Sequence, residues 1–141
     1  MRGWGESVMT DKLRGMIARD EVRLTGYVEQ EDLPKLYSGA RMFVYPSLYE
    51  GFGLPPLEAM ACAVPVIASN RASLPEVVGN AGILCEPLDD MKIAQHMRTL
   101  IEDDGLHAHL SKAGVLRARQ FTWRRCAMET LGIYRRALGS M

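Results

Sequence analysis

The chain has 141 residues, 48% hydrophobic and 24% charged, and its 17 basic and 17 acidic side chains cancel to a formal net charge of zero. That length predicts a single domain, 1–141, with enough residues to bury a core. The charge balance argues against a nucleic-acid partner, which would call for a basic excess, and no stretch approaches the ~18 apolar residues of a membrane span.

The opening MRGWGESVM lacks the apolar run of a signal peptide. Cys62, Cys85 and Cys126 are odd in number and form no CxxC pair, so they read as reduced, mostly buried thiols of a cytoplasmic protein. Met9, Leu13, Met16 and Ile17 recur at helical spacing, and Val22, Arg23 and Leu24 then alternate like a half-exposed edge strand. Asp32 is placed to cap a helix whose inner face is Leu33, Leu36, Tyr37 and Ala40, with Pro34 tolerated in its first turn. The apolar run Met42 to Tyr45 reads as a buried strand, Leu57 to Ala63 as a short helix packed through small residues, and Val64 to Ala68 as a second buried strand.

Between the first of these strands and the helix lies EGFGLPPLE, in which two carboxylates, Glu50 and Glu58, enclose Gly51, Phe52, Gly53, Leu54 and a proline pair. The loop sits where α/β folds bind ligands, beyond the carboxyl end of a strand. Gly51 and Gly53 let the backbone approach a bulky anion and permit positive φ. Pro56 suits the first helical position, where its missing N–H would be unpaired anyway. The remaining amides and the helix end, with roughly half a positive charge, favour a phosphate. Carboxylates do not bind phosphate, so Glu50 and Glu58, the latter at about the third helical position, are aimed at hydroxyl donors. A diphosphate flanked by hydroxyl-rich rings, as in a nucleotide sugar, satisfies all of these at once.

Farther on, Ser73-Leu74-Pro75-Glu76 has the spacing of a capping box, which explains Glu76 without a ligand. Gly79 and Gly82 bracket the turn into Ile83-Leu84-Cys85. After Asp89 and Asp90 come helices with Ile93, Met97, Leu100 and Ile101 on one face, then Leu106, Leu110 and Ala113, and finally Trp123, Ala127, Leu131, Tyr134 and Leu138, stripes that predict core. Arg117, Arg119, Arg124, Arg125, Arg135 and Arg136 concentrate near the end but are interrupted by apolar residues and Glu129. That fits a solvated helix face, with a peripheral membrane contact as the alternative. His107 and His109 do not share a helix face and His96 has no neighbouring ligand, so no metal site is expected. Strand-like and helical segments alternate throughout, which predicts an α/β fold with a Rossmann-like parallel sheet and flanking helices.

The run Tyr45 to Asp89 (YPSLYEGFGLPPLEAMACAVPVIASNRASLPEVVGNAGILCEPLD) resembles the donor-binding half of the retaining glycosyltransferases of GT-B architecture, the large family numbered four. The resemblance extends back through Val22 to Ala40 and forward into the last helices. It implies that Glu50 sits by the donor sugar in the catalytic centre and that Glu58 accepts hydrogen bonds from the ribose. It also implies that the backbone from Phe52 to Leu54 contacts the diphosphate, and that Gly26, Tyr27 and Val28 lie near the base. It implies no cofactor and no metal: the donor is a nucleotide diphosphate sugar, and the reaction transfers a hexose to a hydroxyl acceptor.

Family members continue upstream of the position of Trp4 with two strands and a helix of this domain, and before them an acceptor-binding domain. The chain is thus expected to form the C-terminal half of a GT-B fold without its first two strands. In the order 3-2-1-4-5-6 those two would lie between Val22–Thr25 and Met42–Tyr45. The family's basic pair for the diphosphate belongs to the same upstream segment, so donor affinity is expected to be weak. Arg71, just past the second buried strand, is a candidate phosphate partner, with an ordinary surface loop arginine as the alternative. Two other roles stay open: a nucleotide-binding subunit whose acceptor half is a separate chain, and an inactive fragment.

Overall fold

A computed structural model of the protein describes residues 10–139, and Met9, the expected start of the first helical stripe, lies outside them. The chain divides between Leu33 and Pro34 into two compact units. In the first, α1 (Asp11–Ala18) is capped by Thr10, whose hydroxyl accepts from the Leu13 amide at 3.3 Å. It ends where Asp20 takes a φ of 57° and Arg19 grips Glu21 through two contacts of 2.6 and 2.9 Å. Residues 22–25 form no strand, contrary to the expectation from their alternation. Alternation specifies which face a strand would bury, but a strand also needs a ladder partner for its backbone.

The second unit is a three-stranded parallel sheet, β1 (Phe43–Tyr45), β2 (Val66–Ser69) and β3 (Ile83–Cys85), in the order β1-β2-β3. Phe43 pairs with Val66 and Ile67 with Ile83 in register. Central β2 is buried along its whole length, as its continuous apolar run requires of a strand covered on both faces. Its side chains alternate between two cores. Val66 and Ala68 join Met60, Leu74 and Val78, with Phe43 and Tyr45 packed beside them, whereas Ile67 joins Cys85, Leu100 and Leu110.

Helices therefore cover both sheet faces. They are α2 (Leu33–Ser38), α3 (Leu54–Ala61), α4 (Leu74–Val78), α5 (Asp90–Glu102) and α6 (Asp104–Ala118), and α7 (Trp123–Gly139) follows them in the chain. Asp89 and Asp103 cap α5 and α6 by accepting the Lys92 and Leu106 amides at 2.9 and 2.8 Å. Gly114 lets α6 lie against α3, because a Cβ there would stand 3.2 Å from Met60 Cγ.

Several expectations are corrected. Helix α3 begins at Leu54, two residues before Pro56, the first helical position expected from the sequence, because Gly53 with φ 105° serves as its N-cap and both prolines fit a first turn that needs no N–H from them. Ser73 and Glu76 do not form a capping box, since the Ser73 side chain accepts no amide of α4. Cys126 is exposed, while Cys85 is buried. Helix α7 contributes no buried residue, and its stripe is open, with Trp123 80% and Leu138 68% exposed. Periodicity identifies the apolar face of a helix but not what covers it. No helix among the described residues is long and apolar enough to cross a membrane.

Candidate functional site

Parallel strands bring their carboxyl ends to one edge of the sheet, and the sequence-predicted Glu50, Arg71 and Gly51–Leu54 loop follow those ends in the chain, Glu50 after β1, Arg71 after β2 and the loop at the head of α3. Proline at the second and third helical positions removes two of the donors that a helix N-terminus normally leaves unpaired. The amides of Gly51, Phe52, Gly53 and Leu54 remain. Among the described residues none of them has a hydrogen-bond acceptor. Glu58 falls at the fifth helical position rather than the third, in the second turn of α3.

Both glutamates are held by tyrosines. Tyr45, the last residue of β1, donates its hydroxyl to Glu50 Oε1 at 2.5 Å, and Ser47 stands 2.9 Å from the same oxygen. Tyr37 of α2 donates to Glu58 Oε2 at 3.2 Å. The rings form one file: Tyr37 meets Phe43 edge-on at 5.4 Å, and Phe43 lies along Tyr45 at 5.7 Å. The Tyr45 and Ser47 hydrogen bonds hold the Glu50 carboxyl below its ordinary value. Burial first, then the facing glutamate, pushes each tyrosine up to about 12. At neutral pH Glu50 is thus an acceptor and both phenols are donors.

The loop is anchored from behind. Ser73 Oγ lies 3.0 Å from the Glu50 carbonyl and 2.8 Å from that of Phe52, so the hydroxyl expected to cap α4 reaches back to the loop instead. Gly53 is pressed against Leu74, where a Cβ would meet Cδ2 at 2.7 Å. The Phe52 ring stacks edge-on against Phe121 at 5.9 Å, and Arg117 lies over the other aromatic of that pair, 4.9 Å from the Phe121 centroid. Arg117 also donates to the carbonyls of Glu76 and Val77 at the end of α4, which accounts for one member of the C-terminal arginine group.

Gly51 has open space at its Cβ position and no positive φ, so of the two glycines only Gly53 is required by backbone geometry. The Arg71 guanidinium is 2.6 Å from Glu86, past the end of β3, and so meets a carboxylate at the strand ends. Tyr27 and Val28 belong to the first unit, where Tyr27 follows Gly26, whose φ is 64°, and is 85% exposed. Sequence reasoning missed Tyr37, Tyr45, Ser47, Ser73 and Phe121 as site residues. Tyr45 and Ser47 were discoverable, since a phenol and a hydroxyl two apart at a strand end before a carboxylate can converge on it. Ser73 and Phe121 are 21 or more residues from the loop residues they contact and carry no local signal.

A family model described as glycosyl transferases group 1 matches residues 6–117. The chain is 46% identical over 134 residues to O-antigen chain mannosyltransferase B of Escherichia coli, covering 95% of this chain and 35% of that protein. It superposes on sucrose-phosphate synthase from Thermosynechococcus elongatus with a TM-score of 0.78 at 31% identity, over 92% of this chain and 34% of the other. A solved C-terminal domain of a glycosyl transferase group 1 family protein from Francisella tularensis matches with a TM-score of 0.65 at 28% identity, over 77% of this chain and 60% of that one. The chain thus spans about a third of the length of the first two.

Proposed function

The chain belongs to the glycosyl transferases group 1, and we propose that it forms the donor-binding portion of a retaining transferase that moves a hexose from a nucleoside diphosphate sugar to a hydroxyl acceptor. The observation that carries this is the pairing of two tyrosine-held carboxylates, Glu50 and Glu58, across a loop whose amides at Gly51, Phe52, Gly53 and Leu54 have no acceptor among the described residues. The amides suit an anion, and the carboxylates suit hydroxyls on either side of it.

In this reading Glu50 accepts from the donor sugar and is the catalytic carboxylate, and Glu58 accepts from the ribose. The loop amides stabilise the departing diphosphate, charge that grows as the glycosidic bond breaks. Tyr27 and Val28 attend the base. Arg71 supplies positive charge to the diphosphate on leaving Glu86, an exposed pair that is inexpensive to open. The hydroxyl acceptor, a sugar, lipid or polysaccharide, is bound by a further domain or a partner chain. Because the Escherichia coli relative is named as a mannosyltransferase, a mannosyl donor is the first to test.

Calorimetric titration of the full chain with GDP-mannose, UDP-glucose and ADP-glucose tests the proposal. Saturable binding of one, lost in Glu50→Gln, is the expected result; no binding of any overturns it.

A further inference from the structure

Each site glutamate has one oxygen engaged and one open. Glu50 Oε1 accepts from Tyr45 and Ser47, Glu58 Oε2 accepts from Tyr37, and among the described residues no donor reaches Glu50 Oε2 or Glu58 Oε1. The two tyrosines are not independent. They are the ends of the file Tyr37–Phe43–Tyr45, whose middle ring is a β1 residue packed on the core that contains Met60, from the same helix as Glu58. A carboxylate on a loop or in a second helical turn would otherwise rotate freely about its terminal torsion, which is broad and roughly two-fold. A phenol on a packed ring removes that freedom at little entropic cost, because the ring is already ordered.

We propose that Tyr45 and Tyr37 are positioning residues of the donor site, each fixing one oxygen of its glutamate so that the other points to a ligand hydroxyl, Tyr45 serving the sugar end and Tyr37 the ribose end. Neither tyrosine has a hydroxyl proton left to donate to the ligand, since both are committed to the carboxylates. The inference rests on the assignment of Glu50 to the sugar and Glu58 to the ribose made above. It adds which side chains set their geometry, and it divides the aromatic file into two ends with separable effects.

The division makes a crossed pattern testable on the full chain by calorimetry, using GDP-mannose, UDP-glucose and ADP-glucose, each against its own free nucleoside diphosphate. Tyr45→Phe keeps the ring stack and removes only the hydroxyl, so affinity for the sugar nucleotide falls about tenfold while affinity for the free diphosphate holds. Tyr37→Phe lowers both by a similar factor, because ribose is present in both. Thermal midpoints of the two variants, measured alongside, separate loss of fold from loss of alignment. Equal losses for both ligands in Tyr45→Phe, or no loss in either variant, would each overturn the inference. If the wild-type chain binds none of the six ligands, the function proposed above fails and this inference with it. If wild type binds and the crossed pattern is absent, only the positioning roles fail.

Discussion

Ser73 and Phe52 are joined by a hydrogen bond of 2.8 Å from the serine hydroxyl to the phenylalanine carbonyl, with the Glu50 carbonyl 3.0 Å from the same hydroxyl. One side chain from the head of α4 thus ties two carbonyls of the loop after β1, and in each trans peptide the following amide, of Gly51 and of Gly53, points the opposite way. Ser73→Ala leaves those carbonyls without this donor. It should reduce stability by about 1 kcal/mol and weaken binding of a free nucleoside diphosphate. Denaturant unfolding and calorimetry on one preparation would check both, and unchanged diphosphate affinity would show that the tie does not shape the loop.

Gly53 combines a φ of 105° with a Cβ position 2.7 Å from Leu74 Cδ2. Gly53→Ala must shift either the loop or Leu74, at about 1–3 kcal/mol, whereas Gly51→Ala meets open space and should be nearly neutral for stability. Thermal unfolding of the two variants gives the comparison, and equal effects would contradict it.

Helix α3 closes in a Schellman arrangement, with Ala63 N–H on the Met60 carbonyl and Val64 N–H on that of Ala59, both at 3.0 Å. The left-handed residue there is Ala63, with φ 62°, where a Cβ is unfavourable. Ala63→Gly relieves about 1–2 kcal/mol and loses about 0.4–1 kcal/mol through the unfolded chain. The net prediction is stabilisation, between about 0 and 1.6 kcal/mol, read as a rise in the denaturation midpoint.

Tyr37 and Tyr45, pushed up to about 12, should ionise well above the ordinary value of 10 in a tyrosinate absorbance titration, a late phase that shrinks in Tyr37→Phe and in Tyr45→Phe. The sign follows from the raised value. The neutral phenol is favoured in the folded state, so this stability is fully present below the ordinary value of 10 and is lost as pH rises toward about 12. Glu50 runs the opposite way. Its lowered carboxyl contributes stability above the ordinary value of 4.5, lost as pH falls through the depressed one, and Tyr45→Phe should move the acid limb of sugar-nucleotide affinity to higher pH.

The parallel sheet, the loop and the two glutamates were legible in the sequence because each leaves a local mark: continuous apolar runs for β1 and β2, and glycines and prolines at fixed offsets between Glu50 and Glu58. The supports of the site were not. The file from Tyr37 to Tyr45 depends on α2 packing against β1, and Phe121 reaches Phe52 from the turn after α6. Ser73 shows why local reading fails there: its spacing to Glu76 fits a cap, yet the loop carbonyls claim the hydroxyl. The stripe of α7 failed for a different reason, since an apolar face records that something covers it but not what.

Arg71 and Glu86, 2.6 Å apart, give opposite predictions. Arg71→Ala should lower affinity for a free nucleoside diphosphate, and Glu86→Gln should raise it by removing a negative charge near the anion. Both effects should shrink at high salt because the pair is exposed. Unchanged affinity in Arg71→Ala would return that residue to an ordinary surface role.

The most direct test of the donor-site assignment is thermal unfolding of the full chain alone and with GDP-mannose, UDP-glucose or ADP-glucose. A ligand at 100 times its Kd adds about 2.7 kcal/mol to a folded site. The expected result is one cooperative transition, raised by one of the three and not raised in Glu50→Gln. A cooperative transition that none of them moves would contradict it.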